Sequence, residues 1–226
     1  DTPAVKDEMT LEMVSGFQNH FSLGDPPDYE PVAEKSIRER ANRAGKTPQE
    51  VAYDTLLERD GREIIYMPIG TSKSLSFDGI RPNLLNPATV LSLSDGGAHC
   101  GVICDAGMPT FLLTYWVRDR QRGERIPLEL AVKRQTQDTA RLYGLLDRGT
   151  LKPGMKADVN VIDFDQLRLH APEMVFDLPA SGRRFIQRVD GYRYTVVNGE
   201  ISYENGEPTG AMPGKLIRGP QPTPAH

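Results

Sequence analysis

The chain lacks several features that mark well-defined protein classes. Among its 226 residues are two cysteines, four histidines and one tryptophan. Two cysteines exclude a disulfide-rich secreted domain. No apolar run approaches the roughly 20 residues that cross a bilayer. The net charge of −4 comes from interspersed acidic and basic residues, so there is no one-sided basic surface for nucleic acid. We therefore expect no membrane and no nucleic-acid partner, but a small molecule or another protein.

The first residues also lack the marks of a signal peptide. Asp1–Ala4 contain neither a basic region nor an apolar core, and the chain does not begin with methionine. From the absence of targeting signals we expect a cytoplasmic protein. We also expect that the numbering starts inside a longer polypeptide or after a cleavage.

Local signals predict two helices in the first part of the chain. Ser36 to Ala44 is predicted to be a short charged helix that ends at Gly45. Thr47 is suited to cap the next helix, with Pro48 at its first position and Glu50 three residues after the cap. The spacing of apolar residues predicts one buried face on that helix, made of Val51, Ala52, Leu56 and Leu57.

Strand and helix patterns then alternate. Strands are predicted at 64–67 and, fully buried, at 89–94. Helices are predicted from about 78 to 85, from Pro109 to about Arg122 and from Pro127, and from Asp138 to Tyr143, which Gly144 closes. This alternation is typical of α/β units around a parallel sheet or barrel.

The pattern becomes all-β near Gly149. Strands are predicted at 159–163 and 192–197, and Asn198-Gly199 is the signal of a type I′ hairpin turn. Residues 200–203 form the predicted return strand. The tail from 213 to 226 is rich in proline and glycine and is expected at the surface.

Asp95 is the most informative candidate for chemistry. It ends an apolar strand and is followed by Gly96 and Gly97, so its carboxylate is expected at the C-terminal edge of a parallel sheet, where such folds place their sites. The structural alternative is an aspartate that only caps the turn. His99 follows four residues later, and Asp with His is a common basis for a metal site or a proton relay. A hydrogen-bonded structural histidine is the alternative.

Other residues are given structural interpretations. The C-x3-C spacing of Cys100 and Cys104 is not that of a structural zinc site, so both are predicted to be free, buried thiols. Trp116 is predicted to lie in the core. Arg183 and Arg184 are interpreted as a solvated or salt-bridged pair.

Four segments carry a resemblance to a known family. Residues 91–99 (Leu-Ser-Leu-Ser-Asp-Gly-Gly-Ala-His) resemble the end of the eighth barrel strand in the amidohydrolase superfamily, and more narrowly the N-acyl-D-amino-acid deacylase (D-aminoacylase) branch. Residues 150–163 resemble the point where these enzymes leave the barrel and enter a small β-sandwich. Residues 197–200 resemble a hairpin of that sandwich, and residues 134–145 the helix before the crossover. The resemblance covers about residues 31 to 219.

The resemblance implies a fold class and a domain organisation. The chain is expected to be α/β, the last part of a metal-dependent (β/α)8 TIM barrel followed by part of a small β-sandwich. Residues 1–148 would hold barrel strands seven and eight, at Ile64 and Leu91, with their helices. Residues 149–219 would be the sandwich segment and residues 220–226 a tail.

The resemblance also implies a function. Such enzymes hold one or two zinc ions, and a metal-activated water attacks the amide of an N-acyl-D-amino acid. By resemblance, Asp95 would contact the metal and act as general base, while His99, Gly96 and Gly97 would bind substrate. Two alternatives stay open: hydrolysis of a cyclic amide, and a non-catalytic fragment or subunit that acts in assembly or regulation.

The sequence departs from the family pattern in its metal ligands. The His-x-His pair of the first strand, the lysine or cysteine of the middle strands and their further histidines are absent from it. Most zinc ligands are therefore expected outside this chain, which alone is expected to be inactive. The expected partner is a missing N-terminal half, a companion chain, or further copies in a homo-oligomer.

Overall fold

The computed structural model describes residues 16–68, 75–92, 94, 96 and 99–224. The chain divides into two compact units, residues 1–79 and residues 80–226. Both contain helices and strands, so the predicted mixture of α and β structure is confirmed. Among the described residues, no helix combines the length and the apolar character that a membrane span requires.

The two predicted helices of the first unit are present, with the predicted caps. Helix Ile37–Ala44 begins after Ser36, whose hydroxyl accepts a hydrogen bond from the Glu39 amide, and it ends at Gly45 with φ 64°. Helix Pro48–Gly61 begins with a complete capping box. The Glu50 amide donates to the Thr47 hydroxyl at 3.3 Å, and the Thr47 amide donates to the Glu50 carboxylate at 2.8 Å.

The predicted apolar face of the second helix is only half right. Val51 and Ala52 are buried and pack with helix Ile37–Ala44, but Leu56 and Leu57 are 46% and 57% exposed. The third buried position is Thr55, because residue 55 lies one helical turn after Val51 and faces the same side. Its hydroxyl donates a hydrogen bond to the Val51 carbonyl at 2.7 Å, so the polar side chain can be buried without an unpaired donor.

The strand predicted at 64–67 exists as β2 (Ile65–Tyr66). It pairs antiparallel with β1 (Phe21–Ser22), with Phe21 opposite Tyr66. Phe21 is fully buried. The assignment of this strand as the seventh of a barrel stays a prediction.

The helices predicted in the second unit are also present, two of them continuing as π-helix. Helix Met108–Phe111 runs on to Asp119, slightly short of the predicted end. Trp116 is buried, as predicted, and the Arg120 guanidinium lies over its ring at 4.6 Å from the centroid. The helical segments of this unit are Arg81–Leu85, Met108–Phe111, Leu112–Asp119, Leu128–Lys133, Arg134–Asp138 and Thr139–Leu142, and a short 3-10 turn, Pro179–Ser181, lies among the later strands. The 3-10 segment Phe77–Gly79 closes the first unit.

The predicted buried strand at 89–94 is wrong for its described residues. Residues 89–92 and 94 carry no strand assignment, and Val90 is 40% exposed. A strand needs a neighbouring strand for its ladder, and none of the described strands pairs with this segment. Instead, the buried Arg134 guanidinium donates to the carbonyls of Asn86 and Thr89. Leu93 lies outside the described residues.

The all-β character after residue 149 is confirmed. Strands β3 (Val159–Ile162), β8 (Tyr192–Val197), β9 (Glu200–Glu204) and β10 (Glu207–Pro208) form an antiparallel sheet in the order β10-β9-β8-β3. The turn between β8 and β9 has Asn198 and Gly199 at φ 52° and 86°, as a type I′ turn requires.

Four further strands in this region were not predicted. Strand β4 (Arg168–Leu169) pairs with β7 (Val189–Asp190), and β5 (Glu173–Leu178) pairs with β6 (Gly182–Ile186), both antiparallel. The barrel and the sandwich, and the boundary at residue 148, remain predictions. The described part of the tail is largely exposed, as predicted, and is fastened by a bridge between Gln221 and Leu145.

Candidate functional site

The predicted catalytic segment is described in part. Asp95 and Gly97 lie outside the described residues. Gly96 is exposed, and a Cβ added to it would lie 3.3 Å from the Cβ of Ala106. The chain around Gly96 therefore passes close to residue 106, which leaves little room for a larger residue at this position.

His99 begins a tight turn. Its backbone has φ 51°, and its carbonyl accepts hydrogen bonds from the amides of Val102 at 2.8 Å and Ile103 at 2.9 Å. Histidine is among the non-glycine residues enriched at positive φ. The side chain is exposed. The imidazole is thus held at the surface by a turn and is accessible to a substrate.

The two cysteines follow this turn. Both are free, as predicted, but they are half-buried rather than buried. Burial, with a smaller contribution from Asp105, raises the pKa of the Cys104 thiol. The thiol is therefore protonated at neutral pH, which makes it a poor nucleophile and metal ligand.

The β hairpin of residues 173–186 contacts the turn after His99. The Phe185 amide donates to the Cys100 carbonyl at 2.7 Å. In the same hairpin the Arg184 guanidinium donates twice to the Asp177 carboxylate, each time at 2.7 Å. This ion pair lowers the pKa of Asp177 and confirms the salt-bridged interpretation of Arg184. The hairpin thus holds the chain that follows the predicted site.

The described residues do not by themselves fit a zinc centre. Among them, no group of three or more His, Cys, Asp or Glu side chains is arranged to hold a metal ion. Catalytic zinc uses about three protein ligands. A zinc ion would therefore need ligands from outside the described residues.

Two partly buried polar contacts were missed by the sequence analysis. Arg134 is 4% exposed and holds residues 86–89, and the hydroxyls of Thr110 and Tyr192 lie 3.0 Å apart, which connects a helix to strand β8. Neither contact has a local sequence signal, because each joins residues more than 40 positions apart. Both belong to the scaffold that positions the chain on either side of residues 94–107.

Comparison with known proteins identifies relatives of the chain. The model of the Amidohydrolase family matches residues 54–203, which is more than half of the chain. An N-acyl-D-glutamate deacylase from Alcaligenes xylosoxydans xylosoxydans is 33% identical over 112 residues, covering 50% of this chain and 20% of the deacylase. A dihydroorotase from Elusimicrobium minutum is 33% identical over 89 residues, covering 34% of this chain and 21% of the dihydroorotase. The chain spans about a fifth of the length of these relatives.

Solved structures of D-aminoacylases are also similar. One, described as defining a novel subset of amidohydrolases, gives a TM-score of 0.45 at 23% identity. Another, from work on the binuclear metal centre of D-aminoacylase, gives 0.43 at 22% identity. Each likeness covers 85% of this chain and 36% of the other chain.

Proposed function

Because the chain belongs to the amidohydrolase family, we propose that it is part of a hydrolase that cleaves the amide bond of N-acyl-D-amino acids or similar compounds. The observation that carries this proposal is the family match across residues 54–203, which includes Asp95 and the segment that follows it. The similarity to an N-acyl-D-glutamate deacylase supports an acylated D-amino acid as the substrate class.

In the proposed reaction Asp95 is the general base. It takes a proton from the water that attacks the amide carbonyl carbon, and it passes that proton to the amine nitrogen when the C–N bond breaks. The products are a carboxylate and a free amino acid. His99, Gly96 and Gly97 are proposed to line the substrate site, and the exposed imidazole of His99 supports a contact with substrate.

The proposed fold of the complete enzyme is a (β/α)8 barrel with a β-sandwich beside it. Residues 1–148 would belong to the barrel and residues 149–219 to the sandwich. The metal is proposed to be zinc, with Asp95 as one ligand and most others outside this chain. The described residues, which lack a ligand group of their own, are compatible with that division.

The substrate proposal is tested by a pair of enantiomers. The enzyme that contains this chain is assayed with N-acetyl-D-glutamate and N-acetyl-L-glutamate, before and after dialysis against a chelator. We expect release of free D-glutamate, little release of the L form, loss of activity with the chelator and recovery with zinc. Activity toward neither enantiomer would contradict the substrate class, and activity that resists the chelator would contradict the metal requirement.

A second candidate function is hydrolysis of a cyclic amide. The observation that favours it is the similarity to a dihydroorotase over 89 residues. The same preparation is assayed for ring opening of dihydroorotate and hydantoin. Ring opening without release of D-glutamate would replace the first candidate by the second.

A further inference from the structure

A small cavity in the second unit lies between a helix end, the loop before strand β3 and the C-terminal tail. Its volume is about 210 Å³. This is below the roughly 300–1,000 Å³ of pockets for drug-sized ligands, so it suits a small group. We call it the basic cavity, and its polar lining residues are Gln137, Arg141, Arg148, Thr150, Lys152 and Thr223.

The basic cavity carries an excess of positive charge. Three of its lining residues are cationic, and none of its lining residues is acidic. Arg148 is compensated, because its guanidinium donates to Asp147 at 3.0 Å and to Asp158 at 3.1 Å. Arg141 and Lys152 are exposed and make no ion pair with any residue in the described ranges. Two cations that have no ion-pair partner in the described part of the chain therefore share one small cavity.

The neutral groups of the basic cavity are hydrogen-bond donors that suit an anion. Thr150 and Thr223 contribute hydroxyls and Gln137 contributes an amide group. The C-terminal tail, which contains Thr223, is held in place by two backbone hydrogen bonds at Gln221. The Gln221 amide donates to the Gly144 carbonyl at 2.8 Å, and the Leu146 amide donates to the Gln221 carbonyl at 2.9 Å. The tail thus forms a fixed wall of the cavity.

We propose that the basic cavity binds a phosphate-sized oxyanion, either inorganic phosphate or the phosphoryl group of a small ester. Guanidinium groups donate two parallel hydrogen bonds to phosphate oxygens, and an ammonium adds a point charge. Two uncompensated cations match the double negative charge of phosphate better than the single charge of a carboxylate. The proposal is independent of the amide hydrolysis proposed above, since none of the cavity's residues belongs to that site.

Binding at this position has a structural consequence. An anion held by Arg141, Lys152 and Thr223 connects the end of helix Thr139–Leu142, the loop and the tail. A ligand that binds only the folded chain raises its apparent stability in proportion to the logarithm of ligand concentration. Phosphate is therefore expected to raise the thermal midpoint relative to chloride at equal ionic strength.

The test is calorimetric titration of the full chain with inorganic phosphate and with glycerol 2-phosphate at fixed ionic strength. The test variant is Arg141→Gln combined with Lys152→Gln. The matched control is Lys215→Gln combined with Arg218→Gln, which removes the same two charge types from exposed positions outside the cavity. Circular dichroism checks that both variants fold as the natural chain does.

We expect saturable binding with the natural chain and the control, and affinity weaker by at least about tenfold in the test variant, because charge-assisted hydrogen bonds are lost. Tighter binding of glycerol 2-phosphate would identify an ester as the ligand, and equal binding would identify the free anion. Absence of saturable binding, or equal losses in the test and control variants, would overturn the proposal.

Discussion

His99 has two roles in this account: its backbone shapes a turn, and its side chain is proposed to contact the substrate. The turn that begins at His99 depends on its positive φ and on its carbonyl, which accepts hydrogen bonds from two backbone amides. The side chain of His99 is exposed. A useful substitution must keep the first property and remove the second. Asparagine does so, because it also tolerates the left-handed region.

We predict that His99→Asn raises KM for an N-acyl-D-amino acid by about tenfold and leaves kcat unchanged. The reason is the loss of one substrate contact that is present in the ground state and in the transition state alike. Steady-state kinetics with N-acetyl-D-glutamate measure both constants, and an unchanged thermal midpoint shows that the turn is intact. An unchanged KM would remove His99 from the substrate site.

A second residue-level prediction concerns acid stability. Hydrogen bonds from Arg148 hold the pKa of the Asp147 carboxyl below its ordinary value of 3.8. Since the folded-state pKa is the lower one, the stabilisation is fully present above about 3.8 and is lost as the pH falls through the folded value. Both side chains are mostly buried, at 11% and 19% exposure, so the interaction is weakly screened.

Asp147→Asn should therefore lower the free energy of unfolding by about 1.5–3 kcal/mol at pH 7, because a charged hydrogen-bond acceptor is lost. The difference from the natural chain should shrink at pH 2.5. Urea unfolding at both pH values measures it, and Asp60→Asn, at a side chain that is 94% exposed, is the control. A difference that does not depend on pH would contradict the assigned role of the pair.

At the scale of elements, local chemistry made some features predictable. The capped helices after Ser36 and Thr47 and the Asn198-Gly199 hairpin follow from residues that lie within four positions of one another. The unpredicted hairpin of residues 173–186 turns at Ala180 and Ser181, which both have positive φ although neither residue type favours that conformation; Pro179 and Gly182 on either side were the available turn signals.

Features that depend on distant partners were the ones mispredicted. The apolar run at 89–94 is typical of a buried strand, yet its state depends on neighbouring strands that the described residues do not supply. Leu56 and Leu57 have a helical spacing, but Thr55 fills the buried position because Arg40 and the Val51 carbonyl satisfy its hydroxyl. The candidate site was reached through resemblance, and Asp95 stays a prediction.

Gly191 gives a prediction for the joint between strands Val189–Asp190 and β8. Its φ is +98°, and an added Cβ would lie 2.7 Å from the Leu167 Cα. Gly199 also has a positive φ, 86°, but an added Cβ there meets nothing within 4 Å. Replacing Gly199 therefore tests the cost of the backbone conformation alone, whereas replacing Gly191 adds a steric overlap to that cost.

Gly199→Ala is expected to cost about 1–2 kcal/mol from the left-handed backbone alone. Gly191→Ala should cost at least about 1 kcal/mol more, because the backbone of residue 167 must move. Chemical denaturation of both variants measures the difference. Equal losses would show that the close approach of Gly191 to Leu167 does not matter for stability.

At the scale of the whole molecule, the chain has two units, residues 1–79 and residues 80–226. The second unit contains helices up to Leu142 and the four-stranded antiparallel sheet that begins at Val159. The chain belongs to the amidohydrolase family, as the family match over residues 54–203 shows. Its proposed active-site segment and its basic cavity involve different residues of the second unit. Variants at one can therefore serve as controls for the other.

The central claim is that Asp95 is the general base of an amide hydrolase. The most direct measurement is kcat/KM for N-acetyl-D-glutamate in the enzyme that contains this chain, comparing Asp95→Asn with Asp60→Asn. We predict a fall of about 10²- to 10⁴-fold for the first, with an unchanged thermal midpoint, and no change for the second. Near-natural activity of folded Asp95→Asn would contradict the claim.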